Sequence, residues 1–225
     1  MRMRTRSIIL VIGSAIVLAG SGIHAPGFSQ AAQTADEAAD EGMVELPELL
    51  TSETFERLGF RSISEASDAL VDKKSRLQSY TVDLKALRNF KRGDKADKLL
   101  DDEHTFIYPI TVDGTVRSSM TVTQLQDGTW GVTGWGAPGF INQLTSLSFS
   151  DSNFLVWIPG LYIYFLGERQ QDRKLMLASI NNKPEFNLER RVWKQADEVF
   201  LQLSKHLPKV KPNKQRDPAQ LSDPE

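Results

Sequence analysis

Cysteine is absent from all 225 residues. That excludes a disulfide scaffold and a thiolate zinc site. It also excludes the lipid anchor of a bacterial lipoprotein, which is built on a cysteine. The fold must rest on an ordinary hydrophobic core. Histidine is nearly as scarce: there are three, and His24 lies in an N-terminal leader. An excess of positive charge is missing too. The 27 basic and 29 acidic residues give a net charge of −2, without the basic footprint by which a protein grips nucleic acid. No apolar run reaches the ~20 residues of a comfortable membrane span.

The leader itself is legible. Arg2, Arg4 and Arg6 precede an apolar run from Ile8 to Ala19, and small residues follow up to Ala31. This is the pattern of a secretory signal peptide over residues 1–31, with cleavage expected after Ala31. Cleavage would leave 24 basic against 29 acidic residues, a charge of −5, and no stable membrane span. The predicted location is therefore exported, periplasmic or secreted. The alternative is an uncleaved segment, Ser7–Phe28, serving as an anchor in the inner membrane.

Residues 32–48 are rich in Ala, Asp and Glu and poor in large apolar side chains, which predicts a disordered acidic spacer. Residues 208–225 carry four prolines and a basic-then-acidic charge pattern, which predicts a disordered tail. Residues 49–207 remain as a single α+β domain. A short helix is expected over Leu49–Leu58, stopped by Gly59. A second begins at the capping box Ser62-Ile63-Ser64-Glu65. A strand follows over Leu77–Leu87, then a polar connection from Lys91 to His104.

Alternation is clearest between Thr105 and Trp135. Phe106, Tyr108, Ile110 and Val112 alternate up to Asp113-Gly114, and Val116, Met120 and Val122 alternate beyond it. A two-residue loop would set Ile110 against Arg117. A three-residue loop with a bulge at Gly114 pairs Ile110 with Val116 and Tyr108 with Ser118, and is the expected register. A second hairpin should pair Val122 with Val132 and Gln124 with Trp130. Phe140, Ile141, Leu144 and Leu147 have helical spacing. Phe154–Pro159, Leu161–Gly167 and Lys174–Ile180 read as strands. Leu188–Leu207 reads as an amphipathic helix with Asn187 as its N-cap. The fold class is α+β: a mainly antiparallel twisted sheet of meander and hairpins, with helices packed on one face.

The segment Tyr108-Pro109-Ile110-Thr111-Val112-Asp113-Gly114-Thr115-Val116-Arg117-Ser118-Ser119-Met120-Thr121-Val122, followed by Gly128-Thr129-Trp130, resembles one found in exported bacterial proteins. The element order resembles small secreted domains of the PepSY-like and cystatin-like type. The resemblance implies noncatalytic binding or inhibition and assigns no functional residue.

No catalytic residue is identified. Ser118 and Ser119 lie mid-strand, outside any nucleophile elbow. Asp101-Asp102-Glu103-His104 can turn at most two ligands toward one ion, so no metal site is expected. His206 fits the last turn of a helix. Gly134-Trp135-Gly136 lacks the context of a dinucleotide fingerprint, and no cofactor is expected. The candidate binding residues are Trp135, flanked by glycines where the sheet pattern stops, and the neighbouring Phe140. The function expected is an exported noncatalytic binding or inhibitor-like domain acting on an envelope protein or peptide. The alternative is a periplasmic enzyme with a dispersed site.

Overall fold

The computed structural model describes residues 32–147 and 150–207; the predicted signal peptide and C-terminal tail lie outside them. In chain order the elements are α1 (Ala35–Leu49), α2 (Ile63–Ser67), β1 (Leu70–Val71), β2 (Leu77–Val82), α3 (Leu84–Arg88) and β3 (Leu100–Val112). They continue with β4 (Thr115–Gln124), β5 (Trp130–Trp135), α4 (Pro138–Thr145), β6 (Asn153–Ile158), β7 (Ile163–Arg169), β8 (Leu175–Ser179), β9 (Trp193–Gln195) and α5 (Ala196–His206). The strands form one open nine-stranded sheet in the order β5-β4-β3-β2-β6-β7-β8-β9, with β1 beside the far end of β3. Among the described residues, every pairing between these strands is antiparallel except one. At the centre β2 and β6 run parallel, Gln78 opposite Phe154 and Tyr80 opposite Val156. Among the described residues no helix is long and apolar enough to cross a membrane.

Residues 32–48 are not a spacer. Thr34 and Glu37 close a capping box at the start of α1: the Glu37 amide donates to Thr34 Oγ1 (3.2 Å), and the Thr34 amide donates to Glu37 Oε2 (3.1 Å). The buried stripe of α1 is Ala35, Ala38, Ala39, Gly42 and Leu46. It packs on Tyr108, Ile110, Met120 and Val122 of β3 and β4. These residues recur at helical spacing but are mostly small, so the helix settles close to the sheet and its apolar face is inconspicuous in the sequence. The expected helix Leu49–Leu58 is replaced by the end of α1 and a run of turns reaching Gly59.

Three further boundaries move. Asp83 accepts a hydrogen bond from the Ala86 amide and caps α3, so the strand expected to reach Leu87 stops at Val82. The polar connection to His104 is shorter than expected, because β3 begins at Leu100. The register jump opposite Ser79 and Tyr80 leaves Glu103 and His104 as a bulge, with His104 at φ +49°. The last helix starts at Ala196, not Leu188. Asn187 stands at φ +50° after a 3-10 turn and caps no α-helix, and Trp193–Gln195 pair with β8 as the edge strand. Leu188 still reaches the same core as Val199, Phe200 and Leu203.

The first hairpin takes the register that the alternation argued against. Val112 pairs with Thr115 and Thr111 with Val116, across the two-residue loop Asp113-Gly114. Both loop residues have positive φ (+50° and +69°), as a type I′ turn requires. The pairing then jumps to Ile110 with Ser118 and Tyr108 with Met120, so Arg117 is an extra residue on β4. A bulge of this kind re-aims one side chain without flipping the rest. It keeps Ile110 and Met120 in the core and sends Arg117 to Glu65 of α2, 2.9 Å away. The second hairpin has the expected register, Val122 with Val132 and Gln124 with Trp130.

Helices do not share one face. On β3, Tyr108 and Ile110 face α1, while Ile107 points the other way. On β6, Phe154, Val156 and Ile158 face α3 and α5, while Leu155 points the other way. Gln78 of β2 lies opposite both Phe106 and Phe154, so α1, α3 and α5 cover the same face. Ile141 and Leu144 of α4 pack with Leu77, Ile107, Leu155 and Leu166 on the reverse face. The α1 core and the α5 core are separate. Between them, over the parallel junction of β2 and β6, the sheet has a seam.

Candidate functional site

The two residues singled out by sequence are not brought together. Trp135 ends β5 opposite Met120, half-buried in the α1 core. Its ring lies where a Cβ on Gly42 of α1 would be 3.4 Å from Cζ2. Its neighbouring glycines leave the indole uncovered, but α1 covers it. Phe140 opens α4 on the reverse face, its ring 5.0 Å from Tyr164, which in turn stacks on Trp157 at 5.6 Å. His104 lies exposed with Nδ1 3.8 Å from Asp102, and the His206 ring meets Phe186 edge-on. Among the described residues no three His, Cys, Asp or Glu side chains gather to hold a metal ion. Ser118 is fully buried, and Ser119 donates to the Gly136 carbonyl.

The seam holds a groove of about 560 Å³. Its floor is aromatic: Phe106 from β3, Tyr80 from β2 and Phe154 from β6. Tyr80 and Phe154 meet edge to face at 5.2 Å. The Phe154 ring lies over Gly167 of β7, where a Cβ would stand 2.4 Å from it. Four cations line the same groove, Lys73, Lys74, Arg76 and Arg169, against two carboxylates, Asp36 and Asp151. Arg169 lies 4.6 Å over Phe154 and 5.6 Å from the Tyr80 centroid, and Arg76 lies 5.4 Å over Phe106. Rings so placed attract a guanidinium by cation–π interaction, and its N–H groups can still donate to other acceptors. Continuing the row of Gln78, Phe154 and Gly167 by two residues, just past the ends of β2 and β6, sets Arg76, Ser152 and Arg169 in line across the sheet. The two arginines thus stand two strand spacings apart, about 10 Å at their backbones.

One end of the groove is tied to α1. Arg76 Nη1 donates to both oxygens of Asp36 at 2.6 and 2.7 Å, and the buried Tyr108 hydroxyl donates to Asp36 Oδ1 at 2.7 Å. Lys73 pairs with Asp40 at 2.6 Å, one helical turn further on. Burial pushes the Asp36 carboxyl up. The hydrogen bonds from Tyr108 and Arg76, with the charges of Arg76 and Lys73, outweigh that and hold it below the usual carboxylate value. Burial, then the neighbouring Asp36, push the Tyr108 hydroxyl far above its ordinary range. A carboxylate whose native pKa is lowered stabilises the fold above its unfolded value, about 3.9, and loses that contribution as pH falls through the lowered value. The Asp36 side chain is 41% exposed, so screening keeps the effect below about 1 kcal/mol. Protection of the α1 amides, corrected for the intrinsic pH dependence of exchange, should therefore fall below about pH 4 in the wild type. Asp36→Asn should lose that pH dependence, and an unchanged acid profile in the variant would contradict the tie.

An ionised carboxylate with both oxygens engaged is a weak general base. The arrangement offers charge-assisted donors above flat apolar rings, which suits recognition of an anionic or aromatic group rather than bond-breaking. Sequence reasoning missed Arg76, Phe106, Phe154 and Arg169 because they converge only through the strand order β3-β2-β6-β7, and nothing local announces the parallel pairing. No family model, curated protein or solved structure matches the chain.

Proposed function

We propose that this protein is an exported, noncatalytic binding domain, inhibitor-like in action, that engages a protein or peptide of the cell envelope through the seam groove. The observation that carries the reading is the pair of arginines laid over aromatic rings in one open groove. The resemblance of its element order to PepSY-like and cystatin-like domains supports a noncatalytic role. The leader composition supports export to the periplasm or medium, with an inner-membrane anchor as the alternative outcome.

A photo-crosslinking amino acid at Ser152, in the groove, tests the reading in the native host. Exposed Leu125, in the turn between β4 and β5, is the control position. Adducts with an uncleaved envelope protein are expected from position 152 and not from 125. No adduct from 152, or equal adducts from both, would overturn the assignment. Mass spectrometry of the same material should find an N-terminus at Ala32; a chain retaining Met1–Ala31 would establish the anchor instead.

A further inference from the structure

We propose that the groove takes an acidic, extended peptide segment, and that Asp36 of α1 is a built-in competitor for its Arg76 end. This rests on the binding reading above and names the chemistry of the ligand.

The first ground is charge. The chain is net acidic, yet four cations and two carboxylates share this groove. The second ground is that an acidic segment already lies on part of it. Asp36 and Asp40 are four residues apart, on one flank of α1, and they take Arg76 and Lys73 at 2.6 Å each. The third ground is what they leave over. Asp36 engages only Nη1 of Arg76, so among the described residues Nη2 and Nε of that guanidinium have no hydrogen-bond acceptor. Lys74 Nζ has no carboxylate partner among them either. Among the described residues the one acceptor on Arg169 is Asp97, at 3.3 Å. A carboxylate arriving at Arg76 finds one edge of the fork open and competes with Asp36 for the rest.

Spacing narrows the ligand further. Arginines about 10 Å apart at the backbone, with long side chains, are matched by acidic residues on one side of an extended chain, two or four positions apart. The aromatic floor between them accepts the intervening chain. Phosphate or a sugar polymer could satisfy the charge alone, so the test includes a polyanionic sugar.

The probe is a fluorescein-labelled peptide alternating glutamate and serine, with the glutamine version as control, titrated against the full chain by anisotropy at two salt concentrations. The glutamate peptide should bind, more weakly at high salt, and the glutamine peptide should not. Arg169→Gln should weaken binding about tenfold or more. Asp36→Asn keeps an acceptor for Tyr108 while removing the competing charge, and should tighten binding by about threefold or more. Asp40→Asn, which frees Lys73 in the same way, should also tighten it. Tightening by either variant, in a protein that melts like a folded one, supports the competitor. Unchanged or weaker binding in both, with Arg169→Gln still defective, overturns the competitor and leaves the groove standing. Binding of polygalacturonate but not of the peptide overturns the ligand class. No peptide binding while crosslinks persist at position 152 overturns the ligand class but not the binding function; loss of both removes the binding function itself.

Discussion

Gly59→Ala is expected to destabilise the fold by about 3 kcal/mol or more, lowering the melting temperature by about 6–12 °C for a domain of this size. Gly59 ends the turns after α1 at φ +98°, where a side chain is strained in any surroundings. A Cβ there would also stand 2.2 Å from the Arg117 carbonyl oxygen and 2.8 Å from Pro138 Cβ. The first contact is with backbone, at the bulge of β4, so no rotamer change relieves it. The chain passes between the β4 bulge and the start of α4 because glycine alone leaves room. A variant melting within about 2 °C of wild type would show that the bulge register or the placement of α4 is wrong.

Gly42→Leu is expected to cost about 2 kcal/mol, although leucine forms helices better than glycine by nearly 1 kcal/mol. In the middle of α1, a Cβ at this position would lie 2.6 Å from Val132 Cγ2 and 2.7 Å from Met120 Sδ. Met120 can give way in part; β5 and the rest of the larger side chain cannot both be accommodated without lifting the helix. Lifted, α1 uncovers Met120, Val122 and Trp135 and draws Asp36 away from Arg76. Tryptophan emission should shift to the red and α1 amides should exchange faster. If residues 32–48 were a spacer, the same substitution would be neutral, and a neutral result would restore that reading.

These two positions also show what was and was not legible in the chain. The second hairpin is legible because alternation and a glycine turn agree on its register. The first hairpin is misread by one residue at its loop and by two beyond it, because a bulge at Arg117 lets an unfavourable loop keep a favourable core. Helix α1 is misread because its buried face is alanine and glycine apart from Leu46, and because the partners that neutralise Asp36 and Asp40, Arg76 and Lys73, stand more than thirty residues away. The same omission made Trp135 look exposed. The groove is illegible for a topological reason. Arg76, just before β2, and Arg169, at the end of β7, become near neighbours only when β2 pairs in parallel with β6, a contact between segments some 75 residues apart.

The central claim is that the seam, and neither the end of β5 nor α4, is where this protein meets its ligand. Amide chemical-shift mapping of the isotopically labelled full chain, titrated with the alternating glutamate peptide, tests it most directly. The account predicts shifts concentrated at Arg76, Gln78, Asn153 and Arg169, saturating together. Shifts centred on Trp135 and Phe140, or none at the seam, would contradict it.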